Sequence, residues 1–277
     1  MPTQAEKAAA FRALHDRPEP FVIPNPWDAG TARILTALGF EALTTTSGGL
    51  AITLGRRDGT ASITRTEALE NASLIVQATH LPVAADLENG YGHSPEAAAE
   101  TIRLAAEAGL VGGSIEDATG DPSSPIYEFN HAVERVAAAA ETARALPFPF
   151  MFVARAENYL HGRPHLDDTI RRLQAFEEAG AEVLYAPGIT RAEDIKTLCA
   201  SVTKPVNFLA GLKGAAQFTV SELAALGVRR ISLGSALSRA ALTAFVNASR
   251  EIRENGTFAF AAKTLSLDEL GNLVANG

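Results

Sequence analysis

One pattern occurs four times along the chain and limits the folds that are open to it. A helix-like segment ends in Ala-Gly or Leu-Gly, one apolar residue follows, and a short run rich in β-branched and other apolar residues begins. Glycine at that place suits the left-handed backbone conformation with which many helices end. Runs that are apolar on both faces are typical of parallel strands covered by helices. The glycines of the four repeats are Gly39, Gly109, Gly180 and Gly227.

The remaining strand-like runs raise the number of predicted strands to eight, each followed by a plausible helix. Residues 94–108 illustrate such a helix, since Ser94 suits the N-cap, Pro95 the first helical position and Gly109 the stop. Eight β/α units in 277 residues predict one α/β domain over residues 1–277, a (β/α)8 TIM barrel. A doubly wound open sheet is the alternative, but no Gly-x-Gly-x-x-Gly motif follows the first strand. The predicted strands span residues 21–24, 42–47, 82–88, 112–117, 150–157, 182–187, 205–210 and 230–234.

The chain beyond the eighth strand is longer than a barrel needs. A helical stretch runs to about Glu254, and Ser266 with Glu269 predicts the capping box of a further helix. This segment, residues 239–277, is fairly apolar. We therefore expect it to form an extension of extra helices that packs against a neighbouring subunit or across the bottom of the barrel.

Composition excludes several kinds of partner. The formal net charge of −8 argues against nucleic acid and against an anionic membrane surface. A small anionic substrate stays compatible with this charge, because a bound divalent metal reverses the local sign. The single cysteine, Cys199, excludes an intramolecular disulfide and a cysteine zinc cluster. No secretory pattern and no run near the ~18 apolar residues that span a bilayer are present, so we expect a cytoplasmic protein.

Acidic side chains collect where the predicted strands end, which is where barrel enzymes carry their sites. Strand 3 ends in Asp86 and Glu88 before the glycine-broken turn NGYG, and strand 4 ends in Glu116. Carboxylates this close need a cation, and an all-oxygen ligand set suits Mg²⁺ or Mn²⁺ rather than zinc. Asp117 and Glu157 also lie at strand ends, and for them the capping of the next helix is the simpler interpretation.

Groups that can bind an anion follow other strands. Strand 2 ends in Ser47-Gly48-Gly49, a hydroxyl followed by two backbone N–H groups without a Cβ, which suits a carboxylate or phosphate oxygen. Asn207 on strand 7 either reaches the site or completes a hydrogen bond between strands. Gly211–Gly214 and Gly234-Ser235 could form the phosphate site that some barrels carry, or could serve turns alone.

Six stretches, in order and spacing, resemble the isocitrate lyase/phosphoenolpyruvate mutase superfamily over nearly the whole chain: NPWDAGTARI, TTTSGGLA, the RRDG loop, AADLENGYG, SIED and VARAEN. The resemblance implies a (β/α)8 barrel whose eighth helix is swapped between subunits in a dimer of dimers, a homotetramer. It also implies Mg²⁺ and a substrate that is a 2-oxo acid or that collapses to a pyruvate enolate.

The same resemblance implies roles for the motif residues. Asp86 corresponds to the acid that touches Mg²⁺ directly, and Asp58, Glu88 and Glu116 correspond to the acids that hold the water molecules of the metal. Ser47, Gly48 and Gly49 correspond to the carboxylate-binding turn. Arg155 corresponds to the substrate-binding arginine, and we expect Arg155, Asp58 and Glu116 to take part in catalysis. Asp86 and Asn207 complete the predicted substrate-binding set.

The chain also departs from the pattern of the superfamily. Glu88 stands where aspartate is usual, and Thr45 stands where an aromatic residue commonly precedes the serine turn. The lyases carry Lys-Lys/Arg-Cys-Gly-His in the gating loop after strand 4, with the cysteine as acid/base. Residues 118–126 read ATGDPSSPI here, with Ser124 near the place of that cysteine. The asparagine of the mutases is missing too, and Tyr185 lies near the place of a strand-6 histidine.

These departures favour decarboxylation. Release of CO₂ from oxaloacetate or a similar acid needs only an electron sink and a later proton from solvent, so we expect an oxaloacetate decarboxylase-like lyase. A carbon–carbon lyase of the 2-methylisocitrate or dimethylmalate type is the alternative if Ser124, Tyr91 or His93 supplies protons. A carbon–phosphorus enzyme acting on phosphonopyruvate and a non-catalytic 2-oxo acid binding protein stay open.

Overall fold

The computed structural model describes residues 1–59 and 62–277, and within them eight parallel strands form a nearly closed barrel. The strands neighbour one another in the order β1-β8-β7-β6-β5-β4-β3-β2. A hydrogen bond of 3.1 Å from the Thr44 N–H to the Pro24 carbonyl joins the two ends of this sheet. The predicted (β/α)8 TIM barrel is confirmed. The strands are β1 Phe21–Ile23, β2 Leu43–Thr44, β3 Val83–Asp86, β4 Gly112–Glu116, β5 Met151–Arg155, β6 Val183–Tyr185, β7 Val206–Leu209 and β8 Arg230–Ser232.

Helices surround the barrel, and the four repeated glycines end helices as predicted. Gly39, Gly109, Gly180 and Gly227 have φ of 85°, 93°, 108° and 98°, which side chains with a Cβ rarely adopt. The described α-helices are α1 Gln4–Asp16, α2 Ala29–Ala37, α3 Ser47–Thr53, α4 Arg65–Ala78, α5 Pro95–Glu107, α6 Phe129–Arg144, α7 Leu166–Glu178, α8 Ala192–Ala200, α9 Val220–Ala225, α10 Ala236–Asn255 and α11 Leu267–Asn276. Short 3₁₀ turns span Lys213–Ala215 and Ala259–Lys263.

The second strand is shorter than predicted. The run 42–47 was expected to be a strand, but β2 ends at Thr44 and Ser47 is already the first residue of α3. Thr46 is the N-cap of that helix, and its hydroxyl accepts a 3.3 Å hydrogen bond from the Gly49 N–H. An N-cap residue turns the chain out of the sheet. The turn brings Ser47 to the carboxyl edge of the barrel, where the acids of β3 and β4 end.

Helix α1 closes the amino-terminal end of the barrel. Ala8, Phe11 and Leu14 are buried in one apolar cluster with the first residues of several strands. The contact is close, because a Cβ added to Gly112 would lie 2.9 Å from the Phe11 ring. Helix α1 therefore covers the bottom of the barrel, which was one of the two places expected for the carboxyl-terminal tail.

The tail contacts the outside of the barrel instead. Helix α11 packs on α2, and the Arg33 guanidinium donates hydrogen bonds of 3.3 and 3.2 Å to the carbonyls of Val274 and Gly277. Large apolar side chains on this extension are open to solvent, with Phe245 67% and Leu267 88% exposed. The interface between subunits that we expect here stays a prediction. No helix in the described ranges is long and apolar enough to cross a membrane.

Phe11→Ala tests whether α1 is part of the barrel core. Phe11 is fully buried, so we expect the substitution to lower the free energy of unfolding by about 3–5 kcal/mol, through lost apolar contact and the cavity left behind. Urea denaturation followed by circular dichroism measures it. Leu38→Ala is the control, because Leu38 is 60% exposed and its loss should change stability by about 0.5 kcal/mol at most. Equal small effects of both substitutions would contradict this account of α1.

Candidate active site

Two adjoining cavities lie at the carboxyl ends of the strands. We call them the inner cavity, of about 230 Å³, and the outer cavity, of about 270 Å³. The inner cavity runs into the barrel and is lined, among others, by Thr44, Asp86, Ser114, Tyr185, Asn207 and Arg230. The outer cavity lies under the loop after β4 and is lined, among others, by Glu88, Glu116, Ala118, Gly120, Glu157 and His161. Ser47, Asp58, Arg155 and Leu160 line both.

Arg155, the last residue of β5, joins three acids from three strand ends. Its Nη1 lies 2.8 Å from Asp86 Oδ1, and its Nη2 lies 2.9 Å from both Glu116 Oε2 and Glu157 Oε1. The guanidinium is mostly buried, so these charge-assisted hydrogen bonds are weakly screened. The planar group therefore fixes the relative positions of the three carboxylates.

Asp86 is held from a second side by the turn after β2. Ser47 Oγ donates to Asp86 Oδ2 over 3.0 Å, and the Asp86 N–H donates to Thr45 Oγ1 over 3.1 Å. Glu88 then leaves the strand with φ of 47°, a left-handed conformation that costs a residue with a side chain about 1–3 kcal/mol. This strained exit places the Glu88 side chain in the outer cavity rather than on the outer face of the sheet.

The acids of this cluster outnumber the cations. Burial raises the pKa of Glu88 to about 7, and the charges of Asp86 and Asp58 add to the rise. Burial raises the pKa of Glu116 well above its ordinary value, because Arg155 offsets only part of the effect. The pKa of Asp58 is also raised, first by loss of water and then by the charge of Asp86. One arginine does not neutralise these carboxylates, so the site favours an added cation.

The donor set fits a hard divalent ion. Within residues 1–59 and 62–277, no three Asp, Glu, His or Cys side chains are grouped as direct ligands of one metal. Mg²⁺ commonly binds through one or two carboxylates and keeps several water molecules, so it does not need such a group. Asp86 at the centre, with Asp58, Glu88 and Glu116 around it, suits that manner of binding.

The two glycines of the turn after β2 differ in role. A Cβ on Gly48 would lie 2.8 Å from Asp58 Oδ2, so glycine lets Asp58 approach the turn. Gly49 instead packs under Trp27, since its Cβ would lie 2.8 Å from the Trp27 Cβ, and its N–H is used by the cap at Thr46. Gly48 lines the inner cavity with Ser47, and Gly49 lines neither cavity.

Asp117 and Glu157 do not cap helices, and that interpretation is wrong for both. Arg172 Nη1 lies 3.1 Å from Asp117 Oδ2, while Asp117 Oδ1 accepts a 2.8 Å hydrogen bond from the Glu157 N–H. The next helices begin later, with N-caps at Glu128 and His165. The ion pair with Arg172 joins the end of β4 to α7. Glu157 pairs with Arg155 instead.

Asn207 and Gly234 line the inner cavity, whereas Gly211 and Gly214 do not. Asn207 Nδ2 donates to Ser232 Oγ over 2.9 Å, which leaves its buried Oδ1 as an acceptor without a protein partner. An acceptor suits a hydroxyl or water rather than a carboxylate. Gly211 passes so close to the Leu233 carbonyl that any Cβ would collide with it. Packing thus accounts for Gly211 without a phosphate.

Comparison with known proteins agrees with this geometry. Residues 11–253 match the family model described as phosphoenolpyruvate phosphomutase. The chain belongs to this family. A crystal structure of a presumed lyase/mutase from Burkholderia cenocepacia J2315 is 56% identical, with a TM-score of 0.95, and the match covers 98% of this chain and 96% of that one.

Two curated relatives have assigned activities. The 2-methylisocitrate lyase of Escherichia coli is 31% identical over 247 residues, which are 84% of this chain and 81% of that protein. The oxaloacetate decarboxylase of Chromohalobacter salexigens is 29% identical over 276 residues, which are 97% of this chain and 91% of that protein. The predicted superfamily is confirmed. The chain is a carbon–carbon lyase of that superfamily.

Three residues that line the cavities were not among the predicted site residues. His161 was not among the predicted site residues, yet it lines the outer cavity on the loop that follows Arg155. Tyr185 and Arg230 line the inner cavity, where Arg230 follows the inward alternation of β8 with Ser232. Their positions could have predicted them, because a polar residue faces the site when it points inward from a barrel strand or lies in a loop at a strand end.

The residues considered as proton donors lie elsewhere. His93 Nδ1 shares a 2.7 Å hydrogen bond with the Tyr127 hydroxyl at the start of α5. Tyr91 lines neither main cavity, and burial raises its pKa well above the ordinary value. In the loop after β4, Ala118 and Gly120 line the outer cavity and Ser124 does not. In the described part of the lining, this loop therefore contributes no side chain that exchanges protons.

Proposed function

We propose that the enzyme is a Mg²⁺-dependent (or Mn²⁺-dependent) lyase that releases CO₂ from a small 2-oxo dicarboxylate such as oxaloacetate. The observation that carries the proposal is the composition of the outer cavity. Its acids outnumber its one arginine, while the loop above it offers only Ala118 and Gly120. Such a site can hold an electron sink but lacks the usual acid/base of the loop.

Asp86 would hold the metal directly, and Asp58, Glu88 and Glu116 would hold its water molecules. When bound, the metal supplies a Lewis acid that takes up the charge developing on the 2-oxo oxygen. The carboxylates supply the negative field that keeps a divalent cation at this place. Because Ser47 and Arg155 hold Asp86 from two sides, the position of that ligand is set before substrate arrives.

Arg155 and the turn at Ser47 would bind the carboxylate next to the 2-oxo group. The guanidinium offsets its charge, and its three carboxylate partners keep it from rotating away. Scission of the C3–C4 bond sends the C4 carboxylate out as CO₂. The bond electrons stay on the three-carbon fragment as an enolate, which takes a proton from water to give pyruvate.

A carbon–carbon lyase acting on a 2-hydroxy acid is the second candidate, and His161 is the observation that favours it. Retro-aldol cleavage needs a group that accepts the hydroxyl proton, and imidazole is the side chain that does this most often. His161 lines the outer cavity. The phosphonopyruvate and non-catalytic alternatives have no comparable support among the residues of the cavities.

Oxaloacetate tests the first candidate. We expect the purified enzyme with Mg²⁺ to release CO₂ and pyruvate faster than Mg²⁺ alone, and we expect EDTA to abolish the excess. Asp86→Ala should do the same, because it removes the direct ligand. Asp121→Ala is the matched control, since Asp121 lies in the exposed part of the loop and lines neither cavity. A rate of CO₂ release no higher than that with Mg²⁺ alone would contradict the proposal.

His161→Gln separates the two candidates. Under the decarboxylation proposal the enolate is protonated by solvent, so kcat for CO₂ release should stay within about threefold of wild type. General acid–base catalysis contributes roughly 10²–10⁴-fold where it operates. A loss of that size in the glutamine variant, with KM unchanged, would contradict the proposal and support the lyase with His161 as acid/base.

A further inference from the structure

Arg230, the first residue of β8, is a buried cation that pairs with no acidic side chain among the described residues. The residue is 4% exposed, and its Nε and Nη1 have no hydrogen-bond partner. Its guanidinium carbon lies 5.7 Å from the centre of the Phe11 ring. No acidic side chain in the described ranges forms an ion pair with it. Arg230 lines the inner cavity.

The groups around Arg230 do not neutralise it. His15 lies on the same side of the barrel, and burial lowers its pKa to about 3, with the charge of Arg230 adding to the effect. Its Nδ1 lies 2.8 Å from the Phe11 carbonyl, and its Nε2 is buried without a partner. Tyr185 stays uncharged, since burial raises its pKa far above the ordinary value. Burial lowers the pKa of Arg230 itself to about 10, which leaves it protonated at neutral pH.

An unpaired guanidinium inside a barrel is costly. Removing a charge from water costs several kcal/mol unless a counter-charge or hydrogen bonds replace the lost solvation. Arg172 and Arg135 show the usual solution in this chain: Arg172 pairs with Asp117, and Arg135 donates to backbone carbonyls. Arg230 has neither. The missing partner has to come through the inner cavity, from a molecule that enters it.

The cavity wall beside Arg230 is polar and suits an oxyanion. Thr44, Ser114, Tyr185 and Ser232 add hydroxyl groups around the cavity, and hydroxyls can donate to carboxylate oxygens. The same cavity reaches Ser47, Asp86 and Arg155 at its mouth. One molecule could therefore place one end at the strand-end site and the other end against Arg230.

We infer that Arg230 is a specificity-determining residue that binds a further carboxylate of the substrate, one that is neither held at Ser47 and Arg155 nor released as CO₂, at the inner end of the cavity. The inference rests on the proposed function for the outer end of the molecule, which Ser47 and Arg155 hold. It names a substrate class: a 2-oxo acid with a third carboxylate, which stays on the substrate while another carboxylate leaves as CO₂. A carboxylate that leaves as CO₂ loses its charge in the transition state, so pairing it with a guanidinium would stabilise the ground state and slow the step. Oxaloacetate lacks this third carboxylate, so it can react but the preferred acid is longer than oxaloacetate.

Binding of a ladder of acids to the full-length enzyme with Mg²⁺ tests this inference. Isothermal titration calorimetry compares malonate, succinate, glutarate and adipate with the monocarboxylates of the same chain length. Wild type should prefer the dicarboxylate by about 10-fold or more at one chain length, as a charge-assisted pair predicts. Arg230→Met should lose that preference, and Arg230→Lys should keep part of it. Arg103→Met, on the surface of α5, is the matched control and should behave as wild type.

Oxalate separates the inference from the proposed function. It is too short to span the cavity, so it should bind equally well to wild type and to Arg230→Met. Failure of oxalate to bind either protein would contradict the proposed function at the outer end. Two results would contradict the role of Arg230 and leave the proposed function intact. In both, oxalate binds normally; in one, wild type shows no preference for dicarboxylates at any chain length, and in the other, Arg230→Met keeps the preference of wild type.

Thermal unfolding without ligand gives a second readout. Arg230→Met removes an uncompensated charge at similar volume, so its Tm should equal or exceed that of wild type. A Tm well below wild type that Arg230→Lys restores would assign a structural role to the cation and overturn the inference. A last experiment replaces the acids with chloride and measures Tm. If chloride raises the Tm of wild type as much as the best dicarboxylate does, a free small anion fills the site, and the substrate assignment is wrong.

Discussion

The ion cluster around Arg155 is the constraint on which the site depends. One guanidinium holds Asp86, Glu116 and Glu157, each from a different strand end or the residues just after it. The pairing makes three carboxylates tolerable in a small space, whereas Asp58 and Glu88 are not among the ion-pair partners of Arg155. A cluster built this way is stable enough to fold and still favours a divalent cation.

Backbone geometry sets the reach of that cluster. Glu88 bends into the cavity because the chain leaves β3 in a left-handed conformation, and Gly48 lets Asp58 come close to the turn after β2. The N-cap at Thr46 brings Ser47 to the carboxylate of Asp86. The barrel interior differs from this crowded mouth, because below it the cation Arg230 faces a polar cavity. The enzyme thus carries a negative site at the rim and a positive one inside, which suits an acid held at both ends.

Local signals predicted the frame and the acids well. Glycines that end helices and runs that are apolar on both faces depend on neighbouring residues alone, so the eight strands and the carboxylates at their ends were readable. Partners distant in sequence were not. Asp117 was interpreted as a helix cap because its partner, Arg172, lies far along the chain in α7. His161 was not predicted to face the site, because its position depends on the turn that follows β5. The short β2 was missed because Thr46 favours a cap as much as a strand.

Manganese in crystals of the enzyme tests the central claim most directly, since its anomalous scattering locates the ion. The account predicts one Mn²⁺ in the site, bound directly by an Asp86 oxygen, with water molecules between the ion and Glu88 and Glu116. Asp86→Asn should remove that peak while the fold persists. An ion bound directly by several of the acids, an ion away from Asp86, or no ion at saturating Mn²⁺ would contradict it.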